Sequence, residues 1–456
     1  MSDSRTAAIQ YVQQKRPQFI DELKAFTAIP SISTSPEHKP QLKQGAEWLA
    51  EKLRQLGLNN VQIFQTAGHP VVYGEDLSAG SDKPVVLVYG HYDVQPADPL
   101  DLWESSPFNA TLRGENLYAR GATDMKGQIL AALNAYEAIT QSSDLPVNFK
   151  FIFEGEEEIG STHLEEFIVN HQDLLACDMC LNPDTGMLAK DLPTITYGLR
   201  GLVYFEINVF GPKHDLHSGT FGGVVHNPAQ VLCDLISGMH DDQGRITLPG
   251  FYDKVLYLDD EEREELARLP TGESFYLTQS GAPVLWGEPE YTSVERATGR
   301  PTLEVNGMLS GFTGEGQKTV LPAQAMAKIS CRTVANQEPG EIHQQLLQYL
   351  AEHAPDTVRY EVTKLSEGPS AIVDRNSPYI TAMISAMETV WGVRPIFRRE
   401  GGSVPAVAHV QKHLGVDTVN IGFALPGDNM HSPNEKLHLP TWELGMQALI
   451  HFFYNL

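Results

Sequence analysis

Five places in the sequence carry side chains able to ligate a metal or move a proton. They are His91-Tyr92-Asp93, Asp124 in the glycine-flanked run 120–127, Glu157-Glu158, Asp184 in Asn182-Pro183-Asp184-Thr185-Gly186, and His431 in the polar run 427–435. The densest lies in Glu154-Gly155-Glu156-Glu157-Glu158, where four of five residues are carboxylates and none is basic. Like charges this close repel, and each raises its neighbour's pKa. A chain tolerates that in water or beside a cation. The stretch therefore reads either as a solvated acidic turn or as part of a metal site supplying both a ligand and a base. The others have plain readings too: a solvated loop histidine, an aspartate capping a helix, a turn at Asn-Pro-Asp-Thr-Gly. What they share is position, because each adjoins an expected strand end, where α/β crevices open. Two histidines and three carboxylates suit zinc, cobalt or manganese better than magnesium. With one carboxylate bridging, they offer three ligands to each of two ions and leave positions open for water.

The elements that must position these residues follow from periodicity. Residues 85–89 and 147–153 are apolar enough for strands buried on both faces. Further strands are expected at 61–64, 71–74 and 177–181, with helices at 7–28, 43–56, 126–140 and 162–174. Strands alternating with helices indicate an α/β sheet covered on both faces. After residue 201 the pattern changes. Val203, Phe205, Ile207 and Val209 alternate with Tyr204, Glu206 and Asn208, as in a half-buried strand. A helix at 227–239, strands at 303–309 and 318–333, a helix at 339–353 and a strand at 358–362 complete a β-α-β-β-α-β order, the ferredoxin-like arrangement. An insertion at 241–300 interrupts it, and its acidic run 259–265 reads as a solvated helix face. The first pattern returns from 377, with helices at 378–390, 405–413 and 441–454 and strands at 396–399 and 417–421. One sheet domain, 1–201 and 369–456, is thus expected to be split by a second domain, 202–368.

The totals narrow the class. A chain of 456 residues exceeds one ordinary core. A formal charge of -25 argues against a nucleic-acid backbone or an anionic membrane as partner. Only four cysteines occur, with Cys177 and Cys180 fitting an apolar strand as small buried residues. Neither a signal-peptide core nor a run of ~18 apolar residues is present, so a cytoplasmic location is expected.

The motifs around the five places resemble those of the di-zinc metallopeptidase family that includes carnosinase, cytosolic non-specific dipeptidase, aminoacylase and acetylornithine deacetylase. They are Gly90-His91-Tyr92-Asp93-Val94-Gln95-Pro96, Arg120-Gly121-Ala122-Thr123-Asp124-Met125-Lys126-Gly127, Glu157-Glu158-Ile159-Gly160-Ser161, Asp215-Leu216-His217-Ser218-Gly219 and His431-Ser432-Pro433-Asn434-Glu435. The resemblance runs from about residue 15 to the C-terminus. It implies a catalytic domain with a central, mostly parallel sheet covered by helices, interrupted by a ferredoxin-like lid and dimerisation domain.

Carried over residue by residue, the resemblance makes His91, Asp124 and Asp184 the ligands of one zinc and Asp124, Glu158 and His431 those of another. Asp93 matches the carboxylate that orients His91. Glu157 matches the general base, which takes a proton from the metal-bridging water and later delivers it to the leaving amine. His217 matches a lid histidine that steadies the oxyanion in the partner subunit's active site, which implies a functional homodimer. Arg332 matches the arginine that holds the substrate's C-terminal carboxylate in the dipeptidase branch. Thr319, Gly402 and Ser403 match residues lining the same pocket. Ser377 departs from the pattern, since related animal enzymes carry histidine there.

The dipeptidase branch is favoured by two features. Asp184 stands where the family's deacylases usually place Glu, and the insertion 241–300 is long, as in dipeptidases. The expected substrates are dipeptides or short peptides, and the expected cofactors are two zinc ions per chain, with manganese or cobalt as substitutes. The alternatives are an N-acyl-amino-acid deacylase, of acetylornithine deacetylase or succinyl-diaminopimelate desuccinylase type, and a non-catalytic metal-bound binding protein. Joints between the domains are expected at 199–201 and 366–369.

Overall fold

Two strands that lead to the expected site, Val85 to His91 and Asn148 to Glu154, are mostly apolar, end in a polar residue and are buried along almost their whole length. Inside the second, buried Lys150 is held by the carbonyls of Leu174 and Ala176. The computed structural model describes residues 2–402 and 404–456. It divides into two units: Met1–Tyr197, Val373–Arg398 and Pro405–Leu456 form one, and Gly198–Ile372 with Arg399–Val404 the other.

The first unit begins with helices α1 (Ser2–Thr27) and α2 (Lys39–Gln55) and strands β1 (Asn59–Phe64), β2 (Val71–Asp76) and β3 (Val85–His91). Short strands β4 (Thr111–Arg113) and β5 (Asn116–Tyr118) lead to α3 (Lys126–Thr140). Then come β6 (Asn148–Glu154), α4 (Leu164–Asn170), α5 (Gln172–Leu175), β7 (Met179–Asn182) and β8 (Thr194–Leu199). The second unit holds β9 (Gly201–Phe210), β10 (Leu216–His217), α6 (Ser218–Phe221), α7 (Pro228–Ser237), α8 (Asp260–Ala267), α9 (Glu273–Ser280) and α10 (Ser293–Thr298). It continues through β11 (Thr302–Ser310), β12 (Val320–Leu321), β13 (Gln324–Thr333), α11 (Pro339–His353), β14 (Arg359–Gly368) and β15 (Ala371–Ile372). The chain returns with α12 (Pro378–Trp391), β16 (Ile396–Glu400), α13 (Pro405–Leu414), β17 (Thr418–Asn420), β18 (Lys436–His438) and α14 (Leu439–Asn455).

In the large sheet the order is β1-β2-β6-β3-β7-β17-β8. The centre, β6-β3-β7-β17, is parallel, whereas β1, β2 and β6 pair antiparallel and so do β17 and β8. The sheet is therefore mixed and not mostly parallel. The connection from β1 to β2 is one cause: six residues, 65–70, are too few for the crossover that a parallel neighbour requires. Because the four central strands run the same way, their C-terminal ends share one edge.

The helices cover this sheet. Along α3, Lys126 to Ile139 are all buried, and α1 buries Val12, Phe19, Ile20, Leu23 and Phe26. Each such side chain contributes about 1.5–3 kcal/mol. In the second unit the sheet order β11-β13-β9-β14, antiparallel throughout, is that of a ferredoxin-like unit. Val203, Phe205, Ile207 and Val209 pack there with Leu232, Leu235, Leu346 and Leu350 of its two helices.

Three local expectations are corrected. The helix expected at 162–174 is two, α4 and α5, broken at His171. The strand expected at 318–333 is also two, β12 and β13, separated at Pro322, which cannot donate to a ladder. The acidic run 259–265 is not simply solvated. Glu262 is buried, and its Oε1 accepts from Arg399 Nε at 2.6 Å. No helix among the described residues is long and apolar enough to cross a membrane.

Candidate metal centre

His91 is the last residue of β3 and is fully buried. Its Nδ1 lies 3.1 Å from the backbone oxygen of Asp93, and a carbonyl only accepts, so Nδ1 carries a proton. That leaves Nε2 to face the site. It lies 3.2 Å from Asp124 Oδ1 and 3.6 Å from Asp184 Oδ2, without the alignment of a hydrogen bond to either. The Asp93 carboxylate, expected to orient the ring, lies 3.4 Å from Nδ1, farther than the residue's own backbone oxygen. Its two carboxylate oxygens accept from the backbone N–H groups of Glu157 and Glu158, at 3.2 and 3.1 Å. One buried carboxylate thus ties the end of β3 to the turn after β6.

That turn is a single 3-10 turn, Glu157–Ile159, closed by Gly160 in the left-handed region. Gly155 permits the approach, since a Cβ there would stand 2.5 Å from the Tyr92 hydroxyl. Glu154 and Glu156, for which a surface place was one expectation, are both buried. Glu154 accepts from Tyr89 and Ser161, and Glu156 from the backbone of His69 and from His163. These two carboxylates hold the turn, which frees Glu157 and Glu158 for the site.

Asp124 does not end a strand of the large sheet. It lies between β5, which belongs to a separate three-stranded sheet with β4 and β18, and the start of α3. What positions it is Glu435, a residue to which no role was assigned from sequence. This buried carboxylate accepts from Arg120 Nη1 at 2.6 Å and from the backbone N–H groups of Gly121, Thr123 and Asp124 at 2.9, 3.0 and 3.1 Å. Glu435 stands four residues after His431, so the loops of Asp124 and His431 are fastened together. His431 Nε2 lies 2.9 Å from Asp124 Oδ2 and 3.3 Å from Glu158 Oε2. Gln95, also unassigned from sequence, donates to Glu158 Oε2 at 2.8 Å.

Two triplets result. The ligating atoms of His91, Asp124 and Asp184 lie within 4.8 Å of one another, and so do those of Asp124, Glu158 and His431. Asp124 belongs to both, as a bridging ligand must. The buried, unpartnered Nε2 of His91 between two carboxylates is the arrangement a dication satisfies, and the mixed imidazole and carboxylate set suits zinc-like metals. Electrostatics agree. Burial pushes the Glu157 carboxyl well above its ordinary range, and Asp184, Glu158 and Asp124 add to that against the opposing His91. Burial, followed by Asp124, raises Glu158 to about 8. Burial also disfavours charge on Asp124, but His431 and His91 outweigh it and hold this carboxyl well below the usual range.

Of the remaining expected residues, His217, Arg332, Thr319 and Gly402 belong to the second unit and Ser377 to the first. His217 ends β10 and caps α6, its Nδ1 accepting from Gly219 N at 3.0 Å, which places the ring proton of a neutral imidazole on Nε2. Arg332 lies on β13 opposite Leu202 of β9 and Thr302 of β11. Thr319, just before β12, and Gly402 are exposed; Ser403 lies outside the described residues. Ser377 caps α12, its hydroxyl accepting from Ile380 N at 3.2 Å. Arg200, placed from sequence only in the expected joint 199–201, has its Nε and Nη1 buried without a hydrogen-bond partner among the described residues. Burial, with the charge of Arg332 adding to it, lowers its pKa to about 10.

Comparison with known proteins agrees with this geometry. The chain is 33% identical to the Cys-Gly metallodipeptidase of Candida albicans, over 97% of this chain and 96% of that protein. Among solved structures, a metallo-carboxypeptidase of the M20 family from Sulfolobus solfataricus superposes with a TM-score of 0.83 at 32% identity, covering 96% of this chain and 98% of that one. Human carnosine dipeptidase 1 superposes with a TM-score of 0.76 at 31% identity, covering 99% and 98%. Residues 87–455 match the profile of peptidase family M20/M25/M40. The mixed α/β architecture, the two carboxylate–imidazole triplets and these matches together make the chain a member of peptidase family M20/M25/M40, a metal-dependent hydrolase of peptide bonds.

Proposed function

We propose that the protein is a di-zinc dipeptidase. The observation that carries this reading is the pair of triplets sharing Asp124 beside a half-buried glutamate, Glu157. His91, Asp124 and Asp184 hold one zinc, and Asp124, Glu158 and His431 the other. When bound, the pair supplies Lewis acidity at the scissile carbonyl and acidifies the attacking water. Glu157 takes that water's proton and hands it to the leaving amine, a task for which a raised carboxyl pKa is suited. Asp93 fixes the His91 ring and the backbone of Glu157 at once. His217 presents an Nε2–H donor to the oxyanion of the partner subunit's substrate. Arg332, with Thr319, Gly402 and Ser403, receives the substrate's C-terminal carboxylate. Four unpaired cysteines fit a reducing cytoplasm.

Dipeptides are the favoured substrates because curated relatives similar over almost their full length are named as Cys-Gly and β-Ala-His dipeptidases. Deacylation of N-acyl amino acids is the second reading, favoured by the shared carboxylate-recognition chemistry. A panel of Ala-Gly-type dipeptides and N-acetyl amino acids, run on protein of measured metal content, separates them; faster turnover of the acetylated set would sink the dipeptidase reading. Mixing E157Q and H217A chains tests the dimer. If His217 acts across subunits, two inactive variants restore up to about a quarter of wild-type activity after random exchange. No recovery would place His217 outside that role.

A further inference from the structure

A second group of ligating side chains lies outside the site just described. Helix α13 carries His409 and His413 one turn apart, so both rings project from the same face. Glu165 of α4 meets them there. Its Oε1 stands 2.8 Å from His413 Nε2 and 3.7 Å from His409 Nδ1. The ligating atoms of all three lie within 4.8 Å of one another. Tetrahedral zinc with bonds of about 2.0–2.1 Å separates its ligand atoms by about 3.3 Å, which those two distances bracket.

His409 supplies an independent pointer. Its side chain is only 10% exposed, and its Nδ1 has no hydrogen-bond partner among the described residues. Buried polar nitrogens are rarely left so. We propose that Glu165, His409 and His413 form a third metal site, taking one zinc or similar borderline dication that clamps α4 to α13.

Glu165 Oε1 is the one carboxylate oxygen that both imidazoles face. Lys412 competes. Its ammonium lies 3.0 Å from Glu165 Oε1, but the side chain is 58% exposed on a flexible stem and can swing into water. On binding, Glu165 Oε1 exchanges its contacts with His413 and Lys412 for the ion. The set of two imidazoles and one carboxylate fits zinc better than calcium or magnesium, and a water completes the four positions.

The test is metal stoichiometry of the full chain after chelation and dialysis against zinc chloride. Wild-type protein is expected to hold one equivalent more than H413Q or E165Q, with dipeptide turnover unchanged within about twofold, since neither residue touches the reacting atoms. K412Q is expected to bind the extra equivalent several-fold more tightly, because a competing charge is gone. The extra equivalent should also raise the melting temperature of wild-type protein and leave that of H413Q unmoved. Equal zinc content in wild type, H413Q and E165Q would overturn the proposal, whatever the content at the first site. So would a loss of the extra equivalent in K412Q.

Discussion

Two acidic runs of nearly equal charge density end in opposite environments. In Glu154–Glu158 every carboxylate is buried or half-buried, and no lysine or arginine among the described residues pairs with Glu157 or Glu158. In Asp259–Glu265 the chain forms a helix whose acids find cations or water. Glu262 pairs with Arg399, Glu265 with Arg268, Asp259 caps the helix, and Glu261 and Glu264 stay exposed. Charge density in the sequence is therefore silent about purpose. What distinguishes the runs is whether the protein itself supplies the compensating cation. Where it does, the acids are structural. Where it does not, as at Glu157 and Glu158, a bound cation would supply the compensation, whereas Glu154 is held by the Tyr89 and Ser161 hydroxyls.

The contrast is sharpest at Glu157. Replacement by Gln should lower turnover by roughly 10²–10⁴-fold while metal content stays at the wild-type value, as read by elemental analysis beside a steady-state assay. Retained turnover would return this run to the structural class. Glu262 makes the opposite test. E262Q removes the buried negative charge that faces the Arg399 guanidinium and should cost about 3 kcal/mol in denaturant unfolding, with turnover per folded molecule kept. A large loss of turnover at constant stability would break the comparison from its other side.

Glu154 tests the burial argument itself. Burial raises its carboxyl from an ordinary 4.5 to about 8, with Tyr89 and Ser161 partly opposing. The folded chain therefore binds this proton more tightly than the unfolded one. Stability from this group is full below about 4.5 and is lost as the pH rises to about 8. Chelated wild-type protein should show a decline in unfolding free energy of up to about 1.4 kcal/mol per pH unit across that window, and E154Q should flatten it. The smallest effect belongs to the exposed acids of the second run. E261Q and E264Q should each change stability by no more than about 0.5 kcal/mol and leave turnover alone.

Much of this was legible without coordinates, but unevenly. Helix α3 begins and ends at the residues its pattern implies, 126 and 140, and α11 spans 339–353 in the same way. Both carry strong local signals: an apolar run after a glycine-rich loop, and Pro339 at a helix start. Strand β8 was missed although Thr194, Thr196 and Gly198 alternate with Ile195, Tyr197 and Leu199, a pattern only six residues long. The break at Pro322 was overlooked although proline announces it. In the metal centre, His91, Asp124, Glu158, Asp184 and His431 all stood out by residue type; the expected strand-end position failed for Asp124, which precedes a helix. Glu435 did not, because a glutamate accepting three backbone N–H groups more than 300 residues away looks in sequence like any loop acid.

The sequence by itself determined which residue types are available, which runs must be buried, and where each run stops. Those are local properties, set by side-chain chemistry and backbone period. Only the tertiary structure decided which carboxylates face a shared centre and which are spent on holding a turn. Glu154 and Glu158 are four residues apart and chemically identical. One is turned to Tyr89 and Ser161, the other to Gln95 and His431. That choice depends on strand direction and on contacts between segments remote in the chain, and neither leaves a trace in local composition.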